Sequence, residues 1–271
     1  MAGLVGEPPA RPPFEVEPGP SGTRFAQLRR YEQVGSTNEE LLAAARSGAP
    51  EGLVAVARHQ TSGRGRLGRR WEAPPGSNLL FSVLLRPRLD VEEAHLVTVA
   101  VSLAASDACK VVSGVVPALK WPNDLVVGDR KLAGVLAELD LSGGNDPVVV
   151  VGMGLNVAWP AGASDEPEDL VGSATSLSRE TGALFDPDAV LESLLVGFEE
   201  RLAALRTPDG KRVQAEEHRR RCDTLGREVR VELARESIVG TAVDLTESGH
   251  LVVDSCGSRR TITAGDVVHL R

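Results

Sequence analysis

The chain has 271 residues, 42% hydrophobic and 25% charged, an ordinary globular composition that excludes a fibrous or wholly disordered protein and, at this length, points to one large domain plus a small one. A net charge of −8 gives a long-range field that repels polyanions, so no general affinity for nucleic acid or anionic membranes is expected. Cys109, Cys222 and Cys256 lack the close spacing of zinc or redox pairs, and with no basic segment leading into an apolar one at the start, the expected setting is soluble and cytoplasmic.

Residues 1–24 carry Pro8, Pro9, Pro12, Pro13, Pro18 and Pro20 and read as a disordered tail. Ser36 with Glu39 and Thr37 with Glu40 have capping-box spacing, which predicts a short helix from Ser36 to the glycine at Gly48. Leu53–Ala57 and Asn78–Leu85 are compact apolar strands, the second ended by Pro87. Glu92–Val112 has the length of a long helix packed on a sheet, and Asp107 and Lys110 interrupt its apolar run before it can span a bilayer. Ala118–Trp121, Leu125–Val127 and Lys131–Leu139 are strands, the last two joined by a tight turn at Gly128-Asp129-Arg130. Val148–Val151 is a buried strand, followed by helices over Asp188–Arg206 and Lys211–Cys222. Short alternating strands at Arg227–Leu233, Ile238–Leu245, Leu251–Asp254 and Arg260–Thr263 predict a small β-barrel. The mixed order of hairpins and helices predicts an α+β fold with a mixed sheet.

Five short segments carry chemistry. His59-Gln60-Thr61-Ser62-Gly63-Arg64-Gly65-Arg66-Leu67-Gly68-Arg69-Arg70-Trp71 has glycines at dinucleotide-fingerprint spacing, yet Pro74, Pro75 and Gly76 predict an extended loop where that fingerprint requires a helix. It also lacks the Lys-Ser/Thr of a P-loop. A glycine-arginine loop that folds over a phosphate is one reading, and a solvated basic loop is the other. Lys120-Trp121-Pro122-Asn123-Asp124 and Arg130-Lys131-Leu132-Ala133-Gly134 bring two lysines beside an Asn-Asp pair; a plain turn explains the Pro-Asn-Asp but not the lysines. Lys131, at a strand start, suits the charge between a carboxylate and a phosphate. Gly152-Met153-Gly154-Leu155-Asn156 is either a close approach of backbone to ligand or a tight strand-end turn. Ser36-Thr37-Asn38 is either a helix cap or a reader of a neutral polar ring.

In this order the motifs resemble the biotin–protein ligase family over roughly residues 25–271, in the form without an N-terminal DNA-binding domain, since only 35 residues precede Ser36. The resemblance implies a catalytic domain at 25–222 like the class II aminoacyl-tRNA synthetases, and an SH3-like barrel at 223–271. It implies an enzyme that joins biotin and ATP into biotinyl-5′-AMP and transfers biotin to a lysine of the biotin carboxyl carrier domain of a biotin-dependent carboxylase. Biotin contacts fall on Ser36, Thr37, Asn38, Gln60, Gly63, Arg64, Gly65, Arg66, Lys131, Gly134, Gly152 and Gly154, and ATP contacts on Arg66, Arg69, Trp71, Asn123, Lys131 and Asn156. Lys131, Arg66 and Arg64 carry the catalysis, and Asp124 is the candidate ligand for Mg²⁺. No DNA or membrane binding is expected, and the chain is expected to be a monomer or weak homodimer. The competing readings are a lipoate–protein ligase and a regulator whose basic loop contacts nucleic acid.

Overall fold

The computed structural model describes residues 14–87, 89, 93–141, 147–161, 172–233 and 235–270. An eight-stranded mixed sheet forms its centre, built from β1 (Glu15–Pro18), β2 (Gln27–Tyr31), β3 (Leu53–Ala57), β4 (Leu79–Leu85), β5 (Ala118–Lys120), β6 (Asp124–Val127), β7 (Arg130–Asp140) and β8 (Val148–Leu155) in the order β1-β2-β3-β4-β8-β7-β6-β5. Only the β2–β3 pair is parallel among the described strands. Helices cover both faces. On one lie α2 (His95–Ser113), α3 (Leu177–Thr181) and α4 (Pro187–Ala204), and on the other α1 (Thr37–Arg46). This is the α+β arrangement expected.

The alternation of side chains along a strand decides which residue faces which helix. On β8, Val149, Val151, Met153 and Leu155 pack in the large core with α2 and α4, while Val148 and Val150 pack against α1. The expected long helix is α2, and although it is long and apolar enough to cross a membrane by length and composition, most of it is buried in this core. Asp107 marks the place where it meets its neighbours, accepting from Arg201 of α4 (2.5 Å) and from Arg221 (2.7 Å) of α5 (Pro208–Arg221).

The C-terminal strands β9 (Glu228–Glu232), β10 (Ser237–Leu245), β11 (Leu251–Ser255), β12 (Ser258–Ile262) and β13 (Asp266–His269) form a five-stranded antiparallel sheet ordered β12-β11-β10-β9-β13. Their core includes Val229, Val231, Ala242, Leu251 and Val253, and also Trp121 from the end of β5. The Trp121 indole donates to Gly249 O at 3.0 Å, and its backbone amide to Thr224 Oγ1 at 3.0 Å. The motif tryptophan thus anchors the C-terminal sheet to the central one.

Three expectations need correction. Residues 15–18 fall inside the expected tail yet form β1, an edge strand in register with β2 from Glu15↔Arg30 to Pro18↔Gln27; an edge tolerates Pro18 because its missing donor faces no partner. Residues 1–13 lie outside the described residues. Ser36 is the N-cap of α1 but its side chain makes no capping bond. Gly152 and Gly154 do not turn the chain: β8 runs straight through them to Leu155.

Where α2 and α5 meet, the buried His218 and the partly buried His95 have ring centroids 6.4 Å apart. Burial holds His95 down to about 4, helped by His250 and Arg66, and holds His218 down to about 3, helped by His95 and Arg219. Both rings fold neutral while the unfolded chain takes up protons near pH 6.5, so the stability they contribute is full above that value and falls as pH drops through the window toward 4 and 3. The expected loss between pH 7 and pH 5 is about 2 kcal/mol per ring. Urea unfolding of the wild type and of His218→Gln at the two pH values checks this: the variant is expected to lose less on acidification, and equal losses would remove His218 as a source.

Candidate active site

A cavity of about 490 Å³ opens on the α1 face, where α1, the arginine loop, β7, β8 and β13 meet, a size within the range of roughly 300–1,000 Å³ typical of small-molecule sites. Its floor is the β4–β8–β7 ribbon. Register sets Leu80 opposite Gly154 and Gly154 opposite Gly134, with Ser82, Gly152 and Leu136 forming the next row. Beyond Val150 the positions facing α1 are therefore glycines, and the side-chain layer stops. A Cβ on Gly152 would overlap Asn38 Oδ1, and one on Gly154 would overlap the Trp71 indole. A Cβ on Gly134 would crowd Lys131 Nζ at 3.0 Å and Trp71 Cζ3 at 3.1 Å.

The inner wall is a polar chain at the start of α1. Gln60, just after β3, caps the helix in place of Ser36: its Oε1 accepts from the Thr37 backbone amide at 2.8 Å and is 3.1 Å from Thr37 Oγ1. Thr37 Oγ1 lies 2.6 Å from Ser82 Oγ, which donates to Asn38 Oδ1 at 2.5 Å. Asn38 Nδ2 donates to Leu136 O (3.2 Å) and Glu138 Oε2 (2.8 Å). Ser36, Thr37 and Asn38 are all at least 95% buried, and Ser36 keeps a hydroxyl that no capping bond consumes.

The arginine loop is a hairpin rather than an extended loop: Arg64 bridges Arg70, Gly65 N donates to Arg69 O (2.7 Å) and Trp71 N to Gly63 O (3.0 Å). At its tip Leu67, 73% exposed, takes a left-handed conformation with φ 56°. Arg66 turns inward, where both terminal nitrogens donate to Gly265 O at 3.2 Å and Nη1 donates to Asn123 Oδ1 at 3.3 Å. Burial pulls the Arg66 guanidinium below its usual range, against the opposing pull of Asp266 and Asp124. Arg69 pairs with Asp266 at the start of β13. Lys131 Nζ lies 2.7 Å from Asp124 Oδ1 and 5.5 Å from the Trp71 ring centroid, on its face.

Six cationic side chains line the cavity (Arg64, Arg66, Arg69, Arg70, Lys120 and Lys131) against two carboxylates, Asp124 and Asp266. On an acidic protein this is a local reversal of sign, suited to a polyanion. Of the residues singled out from sequence, Ser36, Thr37, Asn38, Gln60, Arg64, Gly65, Arg66, Arg69, Trp71, Asn123, Asp124, Lys131, Gly134, Gly152 and Gly154 all line it. Two do not. Gly63 sits at the hairpin base, where a Cβ would overlap Trp71 O. Asn156 is spent inside the protein, its Oδ1 accepting from Asn78 and its Nδ2 donating to Thr175 O. The cavity also takes Asp266, Val267 and Val268 from β13, a strand too short and too near the end of the sequence to be read from its pattern.

Comparison with known proteins decides the family. Residues 31–156 match the model described as the biotin/lipoate A/B protein ligase family, and residues 224–270 match the biotin protein ligase C-terminal domain. The biotin–[acetyl-CoA-carboxylase] ligase of Mycobacterium tuberculosis is 39% identical over 257 residues, covering 93% of this chain and 92% of the relative.

The chain belongs to the biotin–protein ligase family.

A ligase of the same name from Paracoccus denitrificans is 32% identical over 86% of this chain and 96% of its own. The biotin protein ligase of Aquifex aeolicus, solved in complex with biotin and ATP, superposes with a TM-score of 0.76 at 30% identity, covering 90% of this chain and 98% of that one. Within the family frame the glycine floor, the polar chain at α1 and the arginine hairpin form a single concave site.

Proposed function

We propose that the chain is an ATP-dependent biotin–protein ligase that makes biotinyl-5′-AMP and passes the biotinyl group to a lysine on a carboxylase carrier domain. The observation that carries the reading is one cavity with a polar, glycine-floored end and a cationic end bridged by Lys131. The fused ring of biotin suits this end, where the glycines let the Trp71 indole and Asn38 settle close against the strands and leave room beside them for a second ring. Ser36, Asn38 and Gln60 offer hydrogen bonds to its ureido group. The valerate carboxylate then runs toward Lys131, and the triphosphate lies among Lys131, Arg66 and Arg69, with Trp71 and Asn123 flanking the nucleotide.

In the first step a biotin carboxylate oxygen attacks the α-phosphorus and the bond to the β-phosphate breaks, releasing pyrophosphate. Bringing an anion onto a polyanion is the main barrier, and Lys131 and Arg66 offset it with charge already fixed in position. In the second, the carrier lysine, as a neutral amine, attacks the acyl carbon, AMP leaves, and the amine gives up a proton. The hairpin covers the anhydride between the two steps and keeps water from it.

Magnesium fits the cationic end. Asp124 Oδ1 is buried with a charge contact to Lys131 but no aligned hydrogen bond, which leaves a hard oxygen donor for a cation that takes its remaining ligands from phosphates and water. Bound there, Mg²⁺ would withdraw charge from the phosphates. We further propose that the C-terminal strands, from about residue 223, curl as an SH3-like barrel beside a catalytic domain of the class II synthetase kind, and that the chain works in the cytoplasm as a monomer or weak homodimer that does not bind DNA.

Biotin-dependent exchange of pyrophosphate into ATP tests the function, with labelling of a carrier domain as the second readout. Both are expected with biotin, and activity with lipoate in place of biotin would overturn the assignment.

A further inference from the structure

Glu138 belongs to none of the motifs, yet its carboxylate joins the two parts of the site. It stands on β7 on the same face as Gly134 and Leu136, opposite Val150 of β8. Oε2 accepts from Asn38 Nδ2 at 2.8 Å, and Oε1 pairs with Arg64 Nη2 at 3.1 Å. The partners differ in freedom. Asn38 is 4% exposed and held by three groups. Arg64 belongs to the lid, has a side chain 42% exposed, and reaches one further carboxylate, Glu39, only at 3.5 Å.

The bonding around Asn38 fixes its polarity. Both of its N–H groups are directed at acceptors, Leu136 O and Glu138, and the hydroxyl of Ser82 points at its oxygen. A flipped amide would set oxygen against both acceptors and nitrogen against the donor, three mismatches in a buried place. Asn38 is therefore presented as an acceptor, with one lone pair left on Oδ1 for an N–H of the occupant.

We propose that Glu138 is a positioning residue with two duties: it holds Asn38 as an acceptor for a ligand N–H, and through Arg64 it ties the lid to that same end of the cavity. Ring recognition and lid closure then share one carboxylate. The inference rests on the assignment of this end of the cavity to the biotin ring.

The test uses the full chain with Glu138→Ala, Glu138→Gln, Arg64→Gln, the Glu138→Gln/Arg64→Gln double variant and Asn38→Ala. Pyrophosphate exchange gives KM for biotin and for ATP, and labelling of bovine serum albumin reports escaped adenylate. Loss of a charged hydrogen bond predicts that Glu138→Ala raises KM for biotin about tenfold or more, with KM for ATP changed less than about twofold. Glu138→Gln, whose amide oxygen still accepts from Asn38, recovers most of the KM but leaks adenylate as Arg64→Gln does, and the double variant leaks no more than either single one. An unchanged KM for biotin in Glu138→Ala, or leakage that multiplies in the double variant, overturns the proposal. Should the alanine variant not fold, the glutamine cycle alone decides. Asn38→Ala separates the two levels: impaired biotin binding there with none in Glu138→Ala removes only the role of Glu138, whereas intact binding in Asn38→Ala removes the cavity assignment itself.

Discussion

Lys131→Ala abolishes adenylate synthesis to the level of about 10²- to 10³-fold below wild type, the loss that follows removal of one fixed charge from a developing anion. The fold survives, because Lys131 is 37% exposed in its side chain and its backbone holds the sheet through Ser173 and Thr175 without it. The ion pair with Asp124 is partly solvated and contributes about 1 kcal/mol or less. The measurement is biotin-dependent pyrophosphate exchange beside a thermal melt. The expected pattern is a fall in kcat larger than any rise in KM for biotin, since the lysine is used most where charge develops. Wild-type exchange in a folded variant would take Lys131 out of the site.

Arg66→Gly has the second largest effect: it slows synthesis less than Lys131→Ala does, because Lys131 remains, and it loosens retention more. The Arg66 guanidinium crosses to Gly265 O beside the C-terminal sheet and also meets Asn123, next to the Arg69 pair with Asp266. Its loss removes charged hydrogen bonds that hold the hairpin down, and these are worth enough for an increase of about 10- to 100-fold in adenylate release. Free adenylate acylates any nearby amine, so the variant is expected to label bystander lysines while the wild type labels the carrier alone. Strict carrier specificity in Arg66→Gly would place the seal elsewhere.

The parts of this site that were legible in sequence share a cause. Apolar strands such as Leu53–Ala57 obey the strand period, whereas a strand read as ending at Val151 left Gly152 and Gly154 open between a turn and a close approach, and only β8 running through them shows which face is stripped of side chains. Asn156 was placed in the cavity by the resemblance, but β8 ends at Leu155 and the asparagine turns inward to tie Asn78 to Thr175. Strand β2, Gln27-Leu-Arg-Arg-Tyr, was not legible because its arginines look solvent-bound. In the fold Arg30 is neutralised by Glu17 on β1 and by Asp188 at the start of α4. The capping box failed in a similar way: spacing identifies a residue able to cap, and only the fold brings Gln60 within 2.8 Å of the Thr37 amide to take the duty from Ser36. Glu138 was invisible because one acidic residue at the outer part of a strand looks like any other.

The Trp121 indole sits among Val229, Val231 and Leu251, and this changes what removing the last fifty residues would mean. Such a truncation would do more than shorten the polypeptide: it would strip the cover from a large aromatic surface two residues before Asn123, and take away the carbonyl on which Arg66 rests. The shorter protein would stick to itself as well as lose its product, so insolubility on expression and leakiness in an assay would be two symptoms of a single exposed seam.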